Sequence, residues 1–276
     1  MRKGPTMHWK THNFALADDV FAQDGTAASV VDSGDGEGPI LLQRGFDAVA
    51  AGEFDTADDL FRRALAAGED AAMVQLAAGH QDRGEDEAAI ELHERAIAAA
   101  VPGALCAFGC YWRERGELGR AEMYLRRAVE QGVDPFARYE LAQLLDERGD
   151  NAGAMAMYQQ AAAIGHGPSL CELGERRCEA GDPAGAERLF KQAIRCSYRV
   201  GLVHLGDLYL DLGRTRDAFA CYERAAKAGI GEGFSGLATI HEDAGDLDEA
   251  RRLYRQAAEA GDESAHENLQ RLDGPA

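Results

Sequence analysis

The sequence predicts an all-α solenoid of about seven helix-turn-helix repeats closed by a C-terminal capping helix. Three observations predict it. Glycine recurs at Gly52, Gly84, Gly116, Gly149, Gly181, Gly213 and Gly245, in steps of 32 or 33 residues. Alanine stands five residues after each of them, from Ala57 to Ala250, and again twelve after each, from Ala64 to Ala257. Nine after each comes a large residue: Phe61, His93, Leu125, Tyr158, Phe190, Tyr222 and Tyr254. A fixed period of this length is the mark of stacked helical hairpins, each of which buries its apolar face only against its neighbours.

Each period reads as two helices. Before the glycine, apolar residues fall at helical spacing, as in Leu202, Leu205 and Tyr209; after it they do so again, as in Leu247, Ala250, Leu253, Tyr254 and Ala257. The glycine ends the first helix, where a left-handed residue is needed. Asp150, Asp182 and Asp246 follow it and suit the start of the second helix. Pro102, Pro135 and Pro168 are expected where first helices begin, and Pro183 where a second one does. The small alanines let paired helices approach, and the large residue fills the gap between hairpins. Leu269 and Leu272 sit in a half-repeat over 263–272, read as a polar cap. Residues 1–38 lie outside the pattern. Their stretch Asp24–Gly38 reads as a flexible linker and the whole as a disordered arm, with the repeat domain over 39–276. The tip of the arm carries Arg2, Lys3, Trp9 and Lys10 and no acid over 1–12, which makes it either an internal ligand for an acidic surface or an unstructured start.

The segments Leu202-x2-Leu205-Gly206-x2-Tyr209, Gly213 and Ala218-x3-Tyr222 with Ala225 resemble the tetratricopeptide repeat, and Leu170-x2-Leu173-Gly174, Gly181 and Ala186-x3-Phe190 with Ala193 match nearly as well. The link from second helix to next first helix, Ala225-Ala226-x2-Gly229 and Ala257-Ala258-x2-Gly261, is similar to the Sel1-like repeat, so the chain stands between two sister families. The resemblance covers residues 39–272. Its departures are His93 at an aromatic position, and Ala100 and Ser197 where other repeats have glycine. It implies a right-handed superhelix whose first helices line a concave groove, with contact positions about ten, six, three and two residues before the turn glycine. Those positions hold Asp82; Cys106, Cys110, Arg113 and Glu114; Tyr139, Gln143, Asp146 and Glu147; Cys171, Glu175, Cys178 and Glu179; Asp207 and Asp211; and Glu242 and Asp243. The groove is acidic and lacks the Lys, Asn and Arg set with which chaperone-binding members clamp a C-terminal carboxylate. The implied function is a protein-binding scaffold or adaptor that holds a basic peptide or protein segment, the alternative being a peptide-sensing regulator of a second protein.

Composition agrees with this and excludes other classes. The formal net charge is −19 over 276 residues, which disfavours nucleic acid and anionic membranes and favours basic partners, with self-association left open. No apolar run reaches the length of a membrane span, and no signal peptide is evident. Cys106, Cys110, Cys171, Cys178, Cys196 and Cys221 form no CxxC, as expected of free thiols in a cytoplasmic protein. Cys106 with Cys110, and Cys171 with Cys178, share helix faces; packing is the simpler reading than metal or redox chemistry. His80 and His241 read as core or partly buried aromatics. Gly231-x-Gly233-x2-Gly236 has the spacing of a dinucleotide fingerprint but no strand before it, and is expected to be an inter-repeat turn. Residues 32–38 lack the ligand spacing of a calcium loop. No catalytic constellation is present, so the chain is expected to be no enzyme and to need no cofactor or metal.

Overall fold

Every described element is a helix; most end at a glycine, and several start at an aspartate. The computed structural model describes residues 36–132 and 135–273. The first helices of successive hairpins are α1 (Glu37–Ala50), α3 (Ala72–Asp82), α5 (Ala104–Glu114), α7 (Pro135–Glu147), α9 (Gly167–Glu179), α11 (Gly201–Asp211) and α13 (Gly231–Asp243). The second helices are α2 (Phe54–Ala66), α4 (Asp86–Ala98), α6 (Leu118–Gln131), α8 (Asn151–Ala163), α10 (Pro183–Arg195), α12 (Thr215–Lys227) and α14 (Leu247–Glu259), and α15 (Ser264–Asp273) closes the chain. The chain is an all-α repeat protein. Packing divides it between Leu144 and Leu145, inside α7, into two compact units.

The hairpin turn explains the period. All seven repeating glycines have positive φ, from 68° to 82°. At Gly181 the backbone N–H bonds the Cys178 carbonyl at 2.9 Å, and the Asp182 N–H bonds the Arg177 carbonyl at 2.8 Å. This is the paired reverse bonding that satisfies the last carbonyls of a helix. The Asp182 carboxylate then accepts the Gly185 N–H at 2.8 Å and opens α10, with Pro183 in its first turn. One aspartate thus ends one helix and starts the next. Asp150 and Asp246 cap α8 and α14 in the same way. Between hairpins Gly68, Gly103, Gly165, Gly229 and Gly261 also have positive φ, while Ala100 (φ 55°) and Ser197 (φ 67°) take that conformation with a side chain.

Packing explains the alanines and the large residues. Ala57, Ala89, Ala121, Ala154, Ala186, Ala218 and Ala250 are all fully buried. In the second unit Tyr222 lies against Gly206 of its own hairpin and Gly236 of the next, and a methyl group on Gly206 would come within 2.6 Å of its ring. Phe190 lies against Gly174 likewise, and in the first unit Phe61 lies against Gly45. Partly buried Leu269 and Leu272 of α15 pack on the second unit's core, as expected of a cap.

Three expectations are corrected. Gly231, Gly233 and Gly236 are no turn: they lie in the first two turns of α13, bare so that this helix can approach Ala225, Ala226, Tyr222 and Asp262 closely. The first helix starts at Glu37, two residues ahead of the expected repeat boundary. Pro102 precedes its helix, which begins at Ala104 behind a left-handed Gly103. The remainder of the arm and linker, residues 1–35, lies outside the described residues.

Candidate partner-binding groove

The residues two, three and six positions before each turn glycine sit in the last turns of the first helices, and each unit places them side by side. In the first unit, Gln81 of α3 donates to the Glu114 carboxylate of α5. Arg113 pairs with Glu140 of α7 at 2.7 Å and donates to Gln143 at 3.1 Å; Gln143 in turn donates to the Tyr139 hydroxyl at 2.8 Å. Glu140 is 5 % exposed, so this ion pair is largely desolvated. Cys106 and Cys110 are buried beneath it, and the hydrogen bond that the Cys110 thiol donates to Cys106, together with burial, pushes that thiol far up. Asp82 is half-buried at the end of α3.

The second unit repeats the arrangement with more acid. Arg176 of α9 pairs with Asp146 and lies 5.2 Å over the Tyr158 ring. His204 of α11 meets Glu175 of α9 at 2.9 Å, and the Cys171 sulfur and the Glu175 carboxylate hold this imidazole above the ordinary histidine range. Arg271 of α15 pairs with Glu242 of α13 at 2.5 Å, which holds the Glu242 carboxyl low. Asp207 accepts the Tyr222 hydroxyl at 2.5 Å, yet crowding out of water still raises it. Glu172 is half-buried and raised, first by burial and then by Glu175. Glu179, Asp211 and Asp243, each two residues before its turn glycine, are exposed and have no hydrogen bond or ion pair among the described residues. Glu147 is exposed at the end of α7.

Some of the positions expected from the sequence are neighbours, Arg113 with Gln143 and Tyr139 in the first unit and Glu175, Cys178, Asp207 and Asp211 in the second, but their acids are not uniformly available. Asp146, Glu175 and Glu242 are held by cations of the following first helix or cap. Sequence reasoning missed those cations, Arg176, His204 and Arg271, and the inward register nine before the turn glycine, which holds Gln75, Glu140, Glu172 and His204. That polar register among apolar neighbours was the signal that could have found them. His80 and His241 are partly buried and lie against the carboxylates of Glu85 and Asp246, the acids just past their turns. Among the described residues no three His, Cys, Asp or Glu side chains are placed to share a metal ion, and no helix is long and apolar enough to cross a membrane.

Stacked helical hairpins of this period, each ended by a left-handed glycine, define a helical repeat protein. Tetratricopeptide repeat patterns match residues 72–105, 106–167 and 204–265, together more than half of the chain. The chain belongs to the tetratricopeptide repeat family, and its repeats make it a protein–protein interaction scaffold. A tetratricopeptide repeat protein from Parabacteroides merdae is 15% identical over 85% of this chain and 97% of its own, with a TM-score of 0.55. Yeast Tom70 is 14% identical over 90% of this chain and 66% of its own, with a TM-score of 0.60. At such identities these structures share the fold. No curated protein matches the chain in sequence.

Proposed function

We propose that the chain is an adaptor that holds a basic, extended peptide segment of a partner protein against the first helices of its second unit. The observation that carries this reading is the set of three uncompensated carboxylates, Glu179, Asp211 and Asp243, repeated on successive helices α9, α11 and α13. Packed helices lie about 8–10 Å apart. A polyproline II peptide advances about 9 Å per three-residue turn, so a cation at every third residue would meet one carboxylate after another. Glu172 and Asp207, whose carboxyls are already raised by burial and crowded charge, add negative potential beside that row. They set the pH dependence: an arriving cation favours their ionised form, so binding should tighten as pH rises through the carboxylate range and weaken below it.

The test is calorimetric titration of the full chain with a peptide bearing lysine at every third position. Replacing Glu179, Asp211 and Asp243 together by lysine should weaken binding by about a hundredfold or more, each exposed charge contact contributing about 1 kcal/mol. Unchanged affinity would sink the proposal.

A further inference from the structure

A second charged surface lies on the outer helix α10 of the second unit and has the opposite sign. Helix α10 carries Arg188, Lys191 and Arg195 against the single acid Glu187, a local charge of +2 in a chain of −19. The side chains border an open depression of about 530 Å³, which Arg177 flanks from the end of α9. Gly185 leaves its floor without a side chain, and Gln192 stands between the two arginines. Two of the cations are already engaged: Lys191 pairs with Glu187 at 2.6 Å and Arg177 with Asp182 at 3.5 Å. Arg188 and Arg195 are exposed and have no ion pair among the described residues. Arg195 in the last helical turn complements the helix dipole, but Arg188 in mid-helix has no such reason to be there.

We infer that this depression is a docking site for a short acidic segment of a partner protein, held by the Arg188 and Arg195 guanidinium groups. Seven helical residues separate the two, about 10 Å along the axis. An extended chain spans that distance in three residues, so two carboxylates three positions apart reach both arginines. Each guanidinium can take a carboxylate in a paired, two-bond geometry, and Gln192 offers an amide to the intervening backbone. A long polyanion such as nucleic acid fits poorly, because the cationic surface is one helix long and the rest of the chain repels it. The site is independent of the groove reading: it stands on a different helix and the opposite charge. A chain with both surfaces would bridge a basic and an acidic partner.

The test is fluorescence anisotropy of labelled deca-glutamate with the full chain at low ionic strength. Saturable binding is expected, and Arg188→Ser with Arg195→Ser should weaken it about tenfold while leaving helix content by circular dichroism unchanged, since both side chains are exposed. Binding of the lysine peptide should not change in that variant. Absence of saturable binding, equal affinity in the double variant, or tighter binding of an oligothymidylate than of deca-glutamate would each overturn the inference.

Discussion

Ala100 and Ser197 show how a single residue can violate the repeat's rule and still leave the repeat intact. Each occupies the left-handed conformation that five other inter-hairpin positions give to glycine. A side chain there costs about 1 kcal/mol, so Ala100→Gly and Ser197→Gly should each stabilise the chain by roughly that amount in urea unfolding. His93 departs in another way. It fills a position held by Phe, Tyr or Leu in the other repeats, stacks on Phe108 at 4.9 Å, and leaves both ring nitrogens without a hydrogen bond. Burial pushes it down to about 3, and His166, another buried histidine, to about 4. Folded values below the unfolded one mean that the associated stability is complete above about pH 6.5 and is lost as pH falls toward those values. At pH 5 the His93 contribution alone should have cost the wild type about 2 kcal/mol. His93→Phe should remove that loss, so the two proteins should diverge on acidification. Parallel pH dependence in urea unfolding would contradict the burial of a neutral ring. Both kinds of departure were legible in the sequence, because each breaks a single-residue rule that most of the other repeats keep.

Helices and their junctions were legible for the same reason. A left-handed glycine, an aspartate cap and a bare alanine are local demands that one residue type answers. The pairs between successive first helices were not. Arg113 and Gln143 are 30 residues apart, as are Asp146 and Arg176, and Glu242 and Arg271 are 29 apart. Such rungs depend on how one hairpin registers on the next, which spacing within a helix does not reveal. The glycines of α13 were misread because a turn is the commoner use of that spacing, whereas here they admit a close helix contact. That contact makes a prediction opposite to helix propensity. Gly→Ala within a helix ordinarily stabilises by about 1 kcal/mol. Gly233→Ala would bring a methyl within 2.6 Å of the Ala226 backbone nitrogen and 2.7 Å of the Ala225 side chain. It should therefore destabilise by about 1–3 kcal/mol in thermal or urea unfolding. Ala161→Leu, at a fully buried position of α8, should cost a similar amount. Stabilisation by either change would refute the close packing.

At the scale of the whole molecule, the acids at the first-helix ends of the second unit fall into two sets. Asp146 and Glu242, three before their turn glycines, are held by the following helix or the cap, whereas Glu179, Asp211 and Asp243, two before theirs, remain open to solvent. The surface proposed to take the partner is accordingly the row of open carboxylates on α9, α11 and α13. The central claim is that this row receives the partner. Hydrogen–deuterium exchange of the full chain, with and without the peptide carrying lysine at every third residue, tests it most directly. The account predicts added protection in the last turns of α9, α11 and α13, around Glu179, Asp211 and Asp243, with α10, α12 and α14 unchanged. Protection confined to those second helices, or none under saturating peptide, would contradict it.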